Sequence, residues 1–288
     1  MSWISVEFLV AAHSHAVVCE LLDSAGALAI TSLDAADQPV LEPAPGQTPL
    51  WPQVRLTALF EGDYDPAALL ALLSTAGVEC PGYTHVADQD WARSGQEVAA
   101  RHFGSRLWVC PTGVGAPVPD AVVVQLDPGL GFGTGAHPTT ALCLRWLALN
   151  PPRDCEVIDW GCGSGILAVA AARLGARQVW ALDIDPQALT ATADNASRNG
   201  VSDCLRVMPA DALPVGLSVD VIIANILAPV LVTLAARLQE ALRPGGALLL
   251  SGLLESQVPE VLAAFGSVLQ FEAPAIDQGW ACVKGIKQ

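Results

Sequence analysis

Basic residues are scarce in this 288-residue chain: 14 Lys and Arg stand against 29 Asp and Glu, for a formal net charge of −15. A surface of that sign repels phosphate backbones, so no direct nucleic-acid ligand is expected. It attracts a basic partner such as a lysine-rich protein, or it serves solubility alone; charge leaves both readings open. Charged residues of either sign make up only 15% against 52% hydrophobic ones, which excludes a disordered chain. Long apolar runs are also missing. The longest, 221–236, is interrupted by Asn225, Pro229 and Thr233 and is too short to span a membrane; it reads as a buried strand followed by a helix. The N-terminal stretch has no basic segment and carries Glu7 among its apolar residues, so no secretory signal and a cytoplasmic location are expected. No two of the 8 cysteines form a C-x-x-C pair, which argues against a zinc site and predicts reduced thiols; no metal is expected.

The first 88 residues read as a small α+β unit. Alternation predicts strands at 3–10, 27–33 and 54–60, with a short one at 83–87. Helical spacing covers 16–25 with Gly26 as its stop, and a second helix runs from Pro66 to about 75 with Asp65 as N-cap. The stretch 34–52 is rich in Pro, Asp and Gly and reads as a loop. The sum is a β-α-β-β-α-β, ferredoxin-like pattern. Residues 89–103 are polar and helix-permissive and read as a linker. From 104 to 288 the texture is α/β: apolar runs at 107–109 and 121–126 lead into a Gly-rich stretch, followed by strands at 157–160, 178–183, 205–208, 219–224, 247–251, 268–271 and 280–284. Helical segments between most of them predict a doubly wound, mostly parallel, seven-stranded sheet.

The chemistry concentrates where the strand 157–160 runs into Gly161-Cys-Gly163-Ser-Gly165 and a helix from Ile166. Ligands of open α/β sheets sit outside the carboxyl ends of strands, and glycines there let backbone approach the ligand and point free amides at it. The next strand ends at Asp183, 22 positions after Gly161, where a carboxylate can accept ribose hydroxyls. A dinucleotide fingerprint would place its third glycine where Ile166 stands. Here the spacing is Asp159-x-Gly161-x-Gly163-x-Gly165, and an acid aimed at a pyrophosphate would be repelled. An acid suits a ligand bearing an ammonium and a sulfonium, so the pattern points to S-adenosylmethionine and a class I methyltransferase. Asp211, after the third strand, stands where a side chain meets an adenine edge, although Asp is common in loops. Asn225 ends the fourth strand and faces the place of methyl transfer; its alternative reading is a loop residue capping the helix around Pro229.

Two stretches carry a narrower resemblance: Leu126-Asp-Pro-Gly-Leu-Gly-Phe-Gly-Thr-Gly-Ala-His-Pro-Thr-Thr140, and Asn225-Ile-Leu taken with Asp183-Ile-Asp-Pro and Asp194-Asn-Ala-Ser-Arg-Asn-Gly. Together with Trp3-Ile-Ser-Val, Glu42-Pro43, Leu50-Trp51 and Gly279-Trp280, they closely resemble the bacterial methyltransferases that modify ribosomal protein eleven of the large subunit. That resemblance implies methyl transfer to lysine side chains and the α-amine of a basic ribosomal protein. It also implies a small N-terminal domain that binds this substrate. A monomer is expected. A methyltransferase acting on another protein lysine or a small-molecule amine is the alternative. Carried over by motif, Thr140, Gly161, Asp183 and Asn225 would contact the cofactor, with Asp159, Gly163, Gly165 and Asp211 beside them. Asn225 is the candidate catalytic residue. Phe132, Trp91 and Trp108 are candidate aromatic faces for a methylated cation, against the plainer reading of core tryptophans. His137 belongs to the same matching stretch and reads as a structural hydrogen-bonder. After Asp90-Trp91 the chain departs from the family pattern, lacking its second Trp and its Phe-His-Pro-like step.

Overall fold

A computed structural model of the chain describes residues 2–36, 49–75, 77–78, 82–87, 100–104, 106–126 and 135–288. It divides into two compact units, Met1–Gly95 and Gln96–Gln288.

In the first unit the chain forms β1 (Ser2–Ala11), α1 (Ala12–Ser24), β2 (Ala29–Asp34), β3 (Gln53–Glu61), α2 (Pro66–Thr75) and β4 (Tyr83–Ala87). The sheet order is β2-β3-β1-β4 and every pairing is antiparallel. Alternation explains the strands: Ile4, Val6, Phe8 and Val10 on β1, with Val54, Leu56, Ala58 and Phe60 on β3, are buried with Val18 and Leu22 of α1 and Leu69 and Leu73 of α2. Asp65 caps α2 by accepting the Ala67 amide at 3.0 Å. Helix α1 starts four residues before the expected 16. Its first turn, around His13 and His15, has no apolar period to read, and the Ala12 amide finds its acceptor at a distance, on Pro52 O at 3.1 Å. Most of the expected loop 34–52, and the first part of the expected linker with Trp91 and the departure that follows it, lie outside the described residues.

The second unit opens with a three-stranded sheet: β5 (Arg101–His102) pairs antiparallel with β6 (Leu107–Cys110), which pairs parallel with β7 (Val122–Gln125). The end of the segment read as helix-permissive is therefore a strand. Buried Phe103 anchors it, and the His102 ring lies 4.8 Å from that of Trp108. After α3 (Pro138–Leu149) come β8 (Glu156–Trp160), α4 (Ile166–Arg173), β9 (Gln178–Asp183), α5 (Pro186–Arg198), β10 (Leu205–Pro209), β11 (Val219–Asn225), α6 (Ala228–Glu240), β12 (Leu242–Leu254), α7 (Val258–Ala264), β13 (Leu269–Phe271), β14 (Ala275–Asp277) and β15 (Trp280–Lys287). These strands form a mixed sheet ordered β10-β9-β8-β11-β12-β15-β13, with β14 pairing β15 as an eighth strand. The five strands from β10 to β12 are parallel, and β15 is antiparallel to its neighbours β12, β13 and β14. β14 escapes a periodicity reading because three residues between Pro274 and the Gln278-Gly279 turn are too few to show one.

Both faces of the sheet are covered. Val221 and Ile223 of β11 and Leu249 of β12 pack with α3 and α4, while Ile222, Ala224, Leu248 and Leu250 pack with α6 and α7. Strand order reverses at β8, whose neighbours are β9 on one side and β11 on the other. A crevice opens at the carboxyl ends of strands at such a reversal. Among the described residues no helix is long and apolar enough to cross a membrane.

Candidate active site at the carboxyl ends of β8 and β11

The loop after β8 is tied down from every side. Gly161 and Cys162 donate their amides to Leu182 O at 2.8 and 2.9 Å, Gly163 donates to Asp183 Oδ2 at 2.9 Å, and Gly165 donates to Cys162 O at 2.7 Å. The expectation of free amides aimed at a ligand is therefore corrected for these four: buried N–H groups need acceptors, and the loop supplies its own. What Gly161 contributes is room. A Cβ there would stand 2.3 Å from Ile226 Cγ2, and its φ of +78° lies in the left-handed region that favours glycine.

Asp159 is fully buried on β8. Helix α4 begins after Gly165, which has no side chain to cap it, and Asp159 Oδ2 accepts the Ala168 amide at 2.9 Å in its place. The other oxygen, Oδ1, has no hydrogen-bond partner among the described residues. Burial pushes this carboxyl up to about 7; the Ala168 bond opposes the shift and the charge of Asp183 adds to it. The acid read as facing the ligand thus lies beneath the loop. Asp183, half-buried at the end of β9, accepts from Gly163, from Ile184 at 2.8 Å and from Asp185 at 3.0 Å. A carboxylate offers about four lone-pair sites, so three backbone donors orient it and leave capacity for a ribose hydroxyl.

Opposite this loop, Asn225 ends β11 and donates from Nδ2 to Thr140 Oγ1 at 3.2 Å, across 85 residues of sequence. Asn225 does not cap α6, whose first turn starts from Leu227 with no side-chain cap, so that alternative falls. Thr140 is buried in the first turn of α3. His137 is the N-cap of α3: its Nδ1 accepts the Thr139 amide at 3.4 Å and lies 2.7 Å from Thr139 Oγ1. Its ring packs edge-on against Trp280 at 4.8 Å, and burial lowers its pKa. Asp211 is exposed on a 3-10 turn, Ala210–Ala212, after β10. Trp108 is half-buried on β6, with a buried indole N–H that has no partner among the described residues. Phe132, with most of the Gly-rich stretch before α3, lies outside the described residues.

Two contributors, Thr192 and Ser251, escape a motif reading, and a third, Asn195, lies in the matching stretch 194–200 without a role assigned there. Thr192 Oγ1 reaches Gly163 O at 3.1 Å and Cys162 Sγ at 3.3 Å, and Asn195 Nδ2 donates to Ser164 O at 2.8 Å. The available signal is a polar stripe on α5 and its C-cap, with Thr192, Asn195 and the cap residue Asn199 all buried at helical spacing. Ser251, fully buried on β12, approaches Thr139 O at 3.3 Å; nothing local marks it. The tight glycine turn and the oriented Asp183, with lone pairs left for a ribose hydroxyl, fit the chemistry of S-adenosylmethionine.

The family described as "Ribosomal protein L11 methyltransferase (PrmA)" matches residues 2–288. The ribosomal protein L11 methyltransferase of Pseudomonas aeruginosa (strain UCBPP-PA14) is 47% identical over 291 residues, covering 99% of this chain and 98% of that one. The Aeromonas hydrophila protein of the same name is 44% identical over 100% of this chain and 99% of its own. Among solved structures, the ribosomal protein L11 methylase of Lactobacillus delbrueckii subsp. bulgaricus is similar with a TM-score of 0.60 and 31% identity, over 66% of this chain and 98% of that one. With the family model matching from residue 2 to residue 288 and relatives 44–47% identical over nearly the whole length, this chain belongs to the ribosomal protein L11 methyltransferase family.

Proposed function

We propose that this S-adenosylmethionine-dependent methyltransferase modifies the lysine ε-amines and the N-terminal α-amine of ribosomal protein L11, with Asn225 orienting the amine. The observation that carries the reading is the Thr140–Asn225 hydrogen bond at 3.2 Å, at the strand-order reversal. The Nδ2–Thr140 bond fixes the orientation of the Asn225 amide, and its carbonyl oxygen then accepts from an amine N–H and turns the amine's lone pair inward. S-adenosylmethionine supplies the methyl group as an electrophile on a sulfonium. The protein's task is then alignment and deprotonation. A lysine is roughly 3.4 pH units from neutrality at pH 7, a cost of about 4.6 kcal/mol. A desolvated pocket lowers that cost by disfavouring the ammonium.

Residues 1–88 serve in this reading as the substrate-binding domain, 89–103 as a linker and 104–288 as the catalytic domain. The order β2-β3-β1-β4 with two helices supports a ferredoxin-like first domain, and helices on both faces of the second sheet support the doubly wound class I arrangement. Asp183, Asp211, Thr140 and Gly161, Gly163 and Gly165 form the cofactor side, Asp159 supports the loop from beneath, and His137 shapes the start of α3. Phe132 and Trp108 are the aromatic candidates on the substrate side. The enzyme works as a cytoplasmic monomer without nucleic acid. Incubation with methyl-labelled cofactor and ribosomal subunits lacking this modification tests the reading. Label confined to L11, with peptide mass spectrometry placing it on lysines and the α-amine, is the expected result. Label on another protein, or on small molecules only, refutes it.

A further inference from the structure

We propose that Ser251 and Gly252, at a bulge near the end of β12, form the positioning element that sets the Thr140–Asn225 pair for methyl transfer; this rests on the role of Asn225 proposed above. The two strands β11 and β12 lie in parallel register with Asn225 opposite Ser251. On its other side β12 slips against β15: Leu250 pairs with Val283 but Leu253 with Ala281, so one extra residue is accommodated at 251–252. A bulge re-aims side chains and bends its strand.

The slip puts the two residues to different uses. Ser251 turns its hydroxyl toward the first turn of α3, 3.3 Å from Thr139 O and 3.1 Å from Ala281 O, with the Cys143 thiol also in hydrogen-bonding reach and one proton to give among them. Its backbone oxygen accepts the Ile226 amide at 3.2 Å. Gly252, with φ of +80°, lets the Ile226 backbone come so close that a Cβ would stand 2.6 Å from Ile226 O and 2.8 Å from its N. Both ends of the Thr140–Asn225 bond are thus anchored on one dipeptide. Thr140 is held through the Thr139 carbonyl beside it, and Asn225 through the Ile226 amide that follows it. Ser251 is fully buried, and an Ala would fill most of that space without a hydroxyl to desolvate. Its hydroxyl joins α3 to β12 and β15 at the level of the candidate catalytic residue.

The test is a double-mutant cycle of Ser251→Ala and Asn225→Ala, assayed with ribosomal protein L11 as substrate. Ser251→Ala should lower kcat about tenfold, as a displaced alignment residue does, while KM for the protein and Kd for S-adenosylhomocysteine stay within about twofold. In the Asn225→Ala background the same change should lower kcat by less than about twofold, because there is no longer an aligned amide to disturb. Gly252→Ala should reproduce the kcat loss. An unchanged kcat for Ser251→Ala, or equal fold losses in both backgrounds, overturns the proposal. Should Ser251→Ala fail to fold, Ser251→Gly, which also removes the hydroxyl and adds no bulk, replaces it in the cycle, and the same outcomes support or overturn the proposal. Full turnover by Asn225→Ala alone refutes the role of Asn225, whereas a slow Asn225→Ala with multiplicative effects refutes only the role of Ser251 and Gly252.

Discussion

Asp159 shows how burial alters the meaning of a residue. On the sequence it is the acid that leads a glycine run; in the fold it is a cap for α4, sealed from water and holding its proton up to about pH 7. Its sign is that of a raised acid: between its ordinary value near 4 and about 7 the unfolded chain has released a proton that the folded chain retains. Stability from this group therefore falls as pH rises through that window, by at most roughly 4 kcal/mol. Asp159→Asn keeps an acceptor for the Ala168 amide and cannot ionise. Urea midpoints measured from pH 5 to pH 8 should fall less for this variant than for the parent, and parallel slopes would refute the proton assignment. Gly161 makes the complementary case, a residue that matters for what it leaves empty. Gly161→Ala must displace Ile226 and adopt a strained φ, which predicts a destabilisation of about 1–3 kcal/mol. Calorimetric titration should also show S-adenosylhomocysteine binding at least about tenfold more weakly to this variant.

At the scale of elements, the helices act on the site mainly through their ends and polar stripes. Helix α5 touches the glycine loop with two side chains, of which Thr192 is fully buried. Thr192→Val retains the volume and loses the bond to Gly163 O. The expected outcome is cofactor affinity reduced by about three- to tenfold, consistent with one lost hydrogen bond of about 1 kcal/mol. Cofactor affinity within error of the parent would show that the loop holds its shape without α5. In the first unit, Asp65→Ala removes the cap of α2 and should cost about 1 kcal/mol, read from chemical denaturation, without changing cofactor affinity. The elements themselves were largely legible: β4 and β9 span the residues that alternation and apolar runs indicate, and α2 begins at the Asp65-Pro66 signal. The exceptions share a cause. β5, β14 and the first turn of α1 are too short or too mixed in composition to show a period, and each exists because a partner from elsewhere in the chain pairs with it.

At the scale of the whole molecule, charge is the property that reaches beyond the site. A net charge of −15 attracts a basic protein substrate over distances that salt screens, with a Debye length of about 8 Å at physiological ionic strength. kcat/KM for ribosomal protein L11 should fall as salt rises from low to physiological concentration, while cofactor affinity changes far less. Equal salt dependence of the two would show that the net charge does not steer the substrate.

Local signals in the chain determined the alternation of strands and helices, the glycine turn, the acids at the ends of β8 and β9, and through these the cofactor class. Each of those rests on residues a few positions apart, whose geometry follows from the period of a strand or helix. Tertiary structure alone decided which loop amides are already satisfied, that Asp159 lies sealed under the loop, and that Thr140 meets Asn225 across 85 positions with Ser251 behind them. Desolvation and long-range hydrogen bonds come into being only when distant segments pack, so no window of sequence contains them.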